Sequence, residues 1–237
     1  MEELNLENFN ELGKQKGLVI SSWNIRSIVS KFQQIETIVA DADIDILCVN
    51  ETWLGSMNNS NAFALEGYDL FRHDRVVKKR GGGLCIYAKK SLNLDTTIHS
   101  GLNLSNEHIE LQVVVLNIKF TKPITIINTY RPPSGKLKEA IEYIDSVLAG
   151  IAAGGEIIMM GDFNLDFGVI QHSLSQSSLE FKHLLQKFQL TQYIKTPTRS
   201  AKKSSTILDH VYSNGKYILK YGTVNNNASD HLPIYIV

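Results

Sequence analysis

IDILCVNE, residues 44–51, is a near-continuous apolar run, the pattern of a strand buried on both faces, and its last residue is Glu51. Upstream, GLVISSWN (17–24) reads as a second strand, and VSKFQQIETIVADA between the two places Phe32, Ile35, Ile38 and Val39 at helical spacing. Strand, helix and strand in this order predict an α/β domain whose sheets are covered by helices. Downstream, residues 66–131 have no helical period. GYDLFRHDR, GGGLCIYAKK, HIELQVVVLNIKF and ITIINTYR, separated by Gly, Asn and Lys-Pro signals, predict an antiparallel meander. KLKEAIEYIDSVLAGI predicts a helix, EIIMMGDFN (156–164) a strand ending in a turn, and SSLEFKHLLQKFQL an amphipathic helix with Phe181, Leu184, Leu185 and Phe188 on one stripe. Three short strands should close the fold: TILDHVYS, YILKYGTV after an Asn214-Gly215 turn, and LPIYIV. Residues 1–16 read as an N-terminal extension and 17–237 as one domain.

At 237 residues, with 43% apolar and 20% charged side chains, the chain can bury a sizeable core, which excludes disordered, collagen-like and coiled-coil classes. Its 24 basic and 24 acidic residues give a formal net charge of +0, so any polyanion site must be a local patch. Cys48 and Cys85 lie inside apolar runs and read as small buried hydrophobes rather than a disulfide, which points to a reducing compartment. MEELNLENFNELGKQKG lacks the apolar centre of a signal peptide, and no stretch reaches membrane-spanning length. The expected location is therefore the cytosol or nucleus, with no membrane partner.

Several strands end in a polar residue where the apolar run stops. Asn24 ends the first, Glu51 the second and Tyr130 a later one; Asp162 and Asn164 follow EIIMMG, and Asp230 and His231 precede LPIYIV. Each alone is an ordinary cap or turn former, but strand ends placed side by side converge on one mouth and can build one site. Glu51, Asp162, Asp209 and Asp230 are the carboxylates of this set, and no paired-cysteine or paired-histidine spacing offers a zinc site. Oxygen donors without thiolates suit a hard cation such as Mg²⁺, typical of phosphoryl chemistry. Ser229, Asp230 and His231 look like part of a hydrolase triad, yet no Gly-x-Ser-x-Gly elbow presents a nucleophile. The glycines at 81–83 precede a strand rather than a helix, so they are not a nucleotide loop.

SSWNIRS, VNETW, NTYRPP, MGDFN, ILDHVYSN and SDHLPI, in this order and at these separations, resemble the motifs of the exonuclease-endonuclease-phosphatase, or DNase I-like, superfamily. KRGGGLCIYAKK and PTRSAKKSSTILDHVYS make the chain resemble one branch, the apurinic-endonuclease-like domain of non-LTR (LINE-type) retrotransposons. The resemblance spans Leu18 to the C-terminus. It implies a four-layered α/β sandwich, two packed and mainly antiparallel sheets flanked by helices. It also implies Mg²⁺-dependent nicking of double-stranded DNA, with Mn²⁺ able to substitute, leaving a 3′-hydroxyl and a 5′-phosphate.

By the same resemblance, Glu51 would hold the metal, with Asn24 completing its shell and Asp230 near both the metal and the leaving group. Asp162 would orient and deprotonate the attacking water, and Asn164 would position Asp162 and the phosphate. His231, held by Asp209, would contact a non-bridging phosphate oxygen, and Tyr130 would donate to the phosphate as charge builds. Some superfamily members carry an acidic residue where this chain has Arg26, which puts a second ligand from the first strand in doubt. The loop before ILDH would enter a DNA groove, making Thr198, Arg199, Lys202, Lys203, Ser205 and Thr206 candidate DNA contacts, with Arg26 and Ser229 beside them. A second basic run, Arg72, Arg75, Lys78, Lys79 and Arg80, is as readily a solvated face. The expected partner is double-stranded DNA in the nucleus, bound by a domain that is monomeric alone and fused to a reverse transcriptase in the full product. The competing readings are an abasic-site repair nuclease or phosphoesterase of the same fold, and an inactive DNA-binding module.

Overall fold

The computed structural model describes residues 1–76, 81–92, 95–98, 102–117, 122–151, 155–201 and 204–237. Two sheets carry the architecture. The first contains, in spatial order, β1 (Glu2–Glu3), β15 (Lys220–Thr223), β16 (Ile234–Ile236), β2 (Ile20–Asn24), β3 (Ile46–Asn50), β5 (Leu84–Lys89) and β4 (Tyr68–His73). The second runs β11 (Thr191–Gln192), β14 (Asp209–Ser213), β10 (Glu156–Asp162), β9 (Ile124–Tyr130), β8 (Glu110–Asn117) and β6 (Asp95–Ile98), with β7 (Leu104–Ser105) also pairing β8. A separate hairpin is formed by β12 (Arg199–Ala201) and β13 (Ser204–Thr206). Helices α1 (Phe9–Leu12) and α2 (Phe32–Ala42) cover the first sheet; α3 (Leu137–Gly150), α4 (Phe167–His172) and α5 (Gln176–Lys187) cover the second.

Period-2 alternation sorts the apolar side chains into three cores. Leu47 and Val49 of β3 face the helices, where Ile35, Ile38 and Val39 of α2 meet them. Ile46 and Cys48 face the other way, into a core shared with Val114, Ile126, Ile158 and Met160 of the second sheet. Ile157 and Met159 pack outward against Ile141, Ile144 and Phe181 of α3 and α5. The layers are thus helix, sheet, sheet, helix, the sandwich expected from the sequence. Within the sheets, β2–β3, β9–β10 and β1–β15 are parallel and the other pairs antiparallel.

Three local expectations change. The meander divides: β4 and β5 close the first sheet, while β8 and β9 belong to the second. The Asn214-Gly215 turn does not make a hairpin, because β14 and β15 lie in different sheets; the Asn214 side chain instead accepts from the Ile157 N–H at 2.7 Å. Residues 2–12, expected to precede the domain, supply edge strand β1 and put Phe9 and Leu12 into the core beside Trp23 and Ala42. Both cysteines are free and buried. Among the described residues, no helix is long and apolar enough to cross a membrane.

Candidate active site

The alternation that builds the inter-sheet core also builds the site. Continuing the parity of Ile20, Ile46, Ile126 and Ile158 toward one end of the sandwich brings up Asn24, Asn50, Asn128 and Asp162, all fully buried. In the second sheet, register sets Asp209 beside Asp162, Asp162 beside Tyr130 and Tyr130 beside Glu110, so one cross-strand row carries three carboxyls and a phenol. Gly161 permits it: a Cβ there would lie 2.0 Å from the Thr129 carbonyl oxygen, and its φ of +139° suits glycine.

Asp162 is held by donors. Its Oδ1 accepts the Asn164 N–H at 2.8 Å, and its Oδ2 accepts Asn164 Nδ2 at 3.0 Å and Asn24 Nδ2 at 2.7 Å. Asn164, at φ +44°, is fixed in turn by Nδ2 donating to the Arg131 carbonyl at 2.9 Å. Burial, reinforced by the neighbouring Asp209 and opposed by His231 and these donors, pushes the Asp162 carboxyl up to about 7. Asn24 Nδ2 also donates to Glu51 Oε1 at 2.8 Å, so one amide spans both carboxylates, and Trp53 Nε1 donates to Glu51 Oε2 at 3.0 Å. Glu51 and Trp53 both sit in the left-handed region, at φ +55° and +57°, a strained turn. Behind it, Asn50 Nδ2 donates to Asn128 Oδ1 at 2.6 Å and Asn50 Oδ1 accepts the Asp162 N–H at 3.3 Å, which ties the two sheets together.

His231 Nδ1 pairs with Asp209 Oδ2 at 2.8 Å, both side chains almost fully buried. Burial alone would lower this imidazole, but Asp209 and, further off, Asp162 and Asp230 outweigh it and hold it up at about 9, as imidazolium. Thr198, expected to touch DNA, is fully buried; its Oγ1 accepts the Leu208 and Asp209 N–H groups at 3.1 and 3.0 Å and so anchors the carboxylate. Ser229 likewise braces the site from within, because its Oγ donates to the Asn24 carbonyl at 2.8 Å and accepts the His231 N–H at 3.3 Å. Burial pushes the Tyr130 phenol well above its ordinary value, and Glu51, Asp162 and Glu110 push the same way, so it remains a proton donor.

Asp230, expected near a metal, instead gives Oδ2 to two arginines, Arg199 Nε at 2.9 Å and Arg26 Nη1 at 3.1 Å. Burial would raise this carboxyl, but His231, Arg26 and Arg199 lower it below its usual range. Arg199 opens the β12–β13 hairpin and bridges His231 backbone to backbone, so the hairpin is rooted in the site. Ser205 is exposed and Thr206 half-buried on its second strand; Lys202 and Lys203 lie outside the described residues, as do Lys78, Lys79 and Arg80. In the other basic run, Arg72 is consumed by Asp74, Asn58, Gly55 and Ser60, and Arg75 is buried against Glu110.

Residues 21–231 match the endonuclease/exonuclease/phosphatase family. The chain belongs to this family. Among curated proteins none matches the sequence. Solved structures share its fold at low identity. The AP endonuclease LMAP from Leishmania major is 16% identical over 92% of this chain and 86% of that one, with a TM-score of 0.76. The endonuclease domain of TRAS1, a telomere-specific non-LTR retrotransposon, is 15% identical over 92% and 96%, at 0.70. A mannosyl-6-phosphatase from Bacteroides thetaiotaomicron is 17% identical over 93% and 99%, at 0.66.

A family of nucleases and phosphatases works on phosphoesters, and its typical divalent cation needs oxygen donors. Asp162, Asp209 and His231 bring ligand atoms within 4.8 Å of one another and form a group that could hold a metal. Within that group, Asp209 and His231 are already engaged with each other through the 2.8 Å contact between Nδ1 and Oδ2. Glu51 fits a hard cation better: it is half-buried, and Asn24 Nδ2 already draws its Oε1 and Asp162 Oδ2 to one shared donor. The side-chain oxygen of Asn24 meanwhile accepts the Arg26 N–H at 3.2 Å, so in this arrangement Asn24 spaces the two carboxylates. The sequence reading overlooked Asn50, Asn128 and Glu110. The available signal was parity: each is a polar residue an even number of positions from an inter-sheet apolar one.

Proposed function

We propose that this domain is a Mg²⁺-dependent endonuclease that nicks one strand of duplex DNA, leaving a 3′-hydroxyl and a 5′-phosphate. The observation that carries the reading is the placement of the β12–β13 hairpin. It is bonded to the backbone of His231 and shares Asp230 with the first-sheet loop, so a surface able to lie along a long substrate is part of the same unit as the buried acid, base and imidazolium.

Asp162, with its raised proton affinity, accepts the proton of the attacking water, and Asn164 keeps its carboxylate in place. His231, charged and held by Asp209, donates from Nε2 to a non-bridging phosphate oxygen, and Tyr130 donates as negative charge grows. The bond from phosphorus to O3′ breaks as the water oxygen bonds phosphorus, and O3′ leaves as an alkoxide that takes a proton from solvent to become the hydroxyl. A cation bound at Glu51 would offset the repulsion between this anionic site and the phosphodiester. Arg26 and Arg199, partly exposed beside Asp230, would meet the flanking phosphates, and Ser205 and Thr206 would meet the groove.

The motif pattern and the fold shared with the TRAS1 domain support a place in a LINE-type retrotransposon, where the new 3′-hydroxyl would prime reverse transcription in the nucleus. The test is a supercoiled-plasmid assay with Mg²⁺, Mn²⁺ or EDTA, comparing the wild-type chain with Asp162→Ala and His231→Ala. The reading requires metal-dependent nicking lost in both variants. Incision only at abasic sites would move the assignment to repair. DNA binding without nicking would mean an inactive binding module, and neither would direct the search to phosphatase substrates.

A further inference from the structure

Glu110 is a fully buried carboxylate that the reaction above does not use. It stands at the end of the row Asp209, Asp162, Tyr130, Glu110, and β8 presents it on the inter-sheet face, two positions before Gln112 and four before Val114. Its Oε2 accepts the Gly83 N–H at 2.6 Å. Its Oε1 lies 3.2 Å from Arg75 Nε, a buried ion pair whose two atoms are out of hydrogen-bond alignment and have no other partner among the described residues. Burying two charges in an imperfect pair is a poor source of stability, so its position next to the site calls for another account.

The hydrogen bonds supply one. Gly83, fixed by Glu110, returns its carbonyl to the Thr52 N–H at 3.0 Å, and Gly82 returns its carbonyl to the Trp53 N–H at 2.9 Å. Trp53 then donates Nε1 to Glu51 Oε2. Glu51 and Trp53 hold left-handed backbone that their own side chains do not favour, so the turn needs an external template. The glycine run is that template, and it lies flat on the ion pair: a Cβ on Gly82 would fall 2.3 Å from Glu110 Oε1 and 2.6 Å from Arg75 Cδ. The path runs from Glu110 to the glycine loop, to the backbone flanking Glu51, to the carboxylate itself.

We propose that Glu110, with Arg75, is a positioning residue that sets the Glu51 carboxylate for cation binding. This rests on the assignment of Glu51 to the metal. Groups hydrogen-bonded directly to a metal ligand characteristically alter affinity by about 10- to 100-fold, and Trp53, which the glycine run holds, is such a group for Glu51. Glu110 therefore acts on the metal without touching it, and the glycine triplet, which is no nucleotide loop, becomes the link between the two carboxylates.

The experiment is Mn²⁺ binding to the full chain, counted by electron paramagnetic resonance without DNA, beside thermal melting. Glu110→Gln keeps an acceptor for the Gly83 N–H and should retain Mn²⁺ affinity within about threefold. Glu110→Met removes it and should weaken Mn²⁺ at least about tenfold, with a lower melting temperature because Arg75 is left buried and unpaired. Adding Arg75→Met removes that stranded charge. The double variant should recover melting temperature while its Mn²⁺ affinity stays low, whereas a merely structural role would restore both together. Wild-type Mn²⁺ affinity in Glu110→Met or in the double variant overturns the proposal. A wild-type chain that binds Mn²⁺ and nicks DNA while those variants bind equally well sinks only this inference; a wild-type chain that does neither sinks the endonuclease reading beneath it.

Discussion

Asp230 and His231 are adjacent in the chain and meet opposite environments. His231 turns inward to a buried pair with Asp209, whose backbone is pinned by Thr198. Asp230 turns outward, about one-third exposed, between two arginines that are themselves open to water. The same Asp-His dipeptide thus supplies one group whose charge is fixed by the protein interior and one whose partners can exchange with solvent or a phosphate. Burial is what separates them. An interior pair is strongly felt when one partner is removed, while an exposed pair contributes about 0–1 kcal/mol.

If that contrast is right, removing the inward groups should have the largest effect. His231→Ala and Asp162→Ala should each lower the nicking rate by roughly 10²- to 10⁴-fold, with duplex binding retained in EDTA; a loss below tenfold would place the chemistry elsewhere.

Asp209→Asn comes next and sharpens the comparison through pH. The folded His231 value, about 9, lies above the ordinary 6.5, so the pair's stabilisation is complete below pH 6.5 and is lost as pH rises through 9. Asp162, raised from 3.8 to about 7, works in the same direction but at lower pH, its contribution being lost between those two values, so the fall above pH 7 belongs to His231. Wild-type melting temperature in EDTA should therefore fall between pH 6.5 and 9, and the Asp209→Asn curve should be flatter there. Its activity limit on the alkaline side should also move down, because His231 would lose its proton earlier. Parallel curves for the two proteins would remove the imidazolium from the account.

Much of this was legible in the sequence. Long strands announced themselves through apolar runs ending in Asn24, Glu51, Tyr130 and Asp162, and α2, α3 and α5 through helical spacing, because deep burial on one or both faces leaves a strong pattern. Less visible was anything decided by pairing. β4–β5 and β8–β9 look alike as hairpins, yet join different sheets, and Asn214-Gly215 looks like a hairpin turn while β14 and β15 part company. Short elements such as β1, α1 and α4 owe their structure to tertiary contacts rather than local propensity. In the site, residue types at strand ends pointed to the right neighbourhood, but Thr198 and Ser229 look like surface hydroxyls until burial reveals what they hold. Asn50, Asn128 and Glu110 were hidden because a polar residue within a strand reads as solvent-facing unless the sheet opposite is known.

Thr198→Val should have an intermediate effect. It leaves the Leu208 and Asp209 N–H groups without their acceptor, at a cost of about 1–3 kcal/mol in denaturant unfolding, together with a lower nicking rate as Asp209 loosens. Unchanged stability would show that another acceptor takes over. The smallest effect belongs to Asp230→Asn, which should alter stability by no more than about 1 kcal/mol. A loss as large as that of Asp209→Asn would erase the contrast between the inward and outward residues.

The most direct test of the central claim is whether DNA ligase can reseal plasmid nicked by the wild-type chain in Mg²⁺. A nick with a 3′-hydroxyl and a 5′-phosphate is a ligase substrate, so the account predicts that ligase returns the open circles to closed form. Nicks that resist ligase, or plasmid that stays supercoiled at every Mg²⁺ concentration, would contradict it.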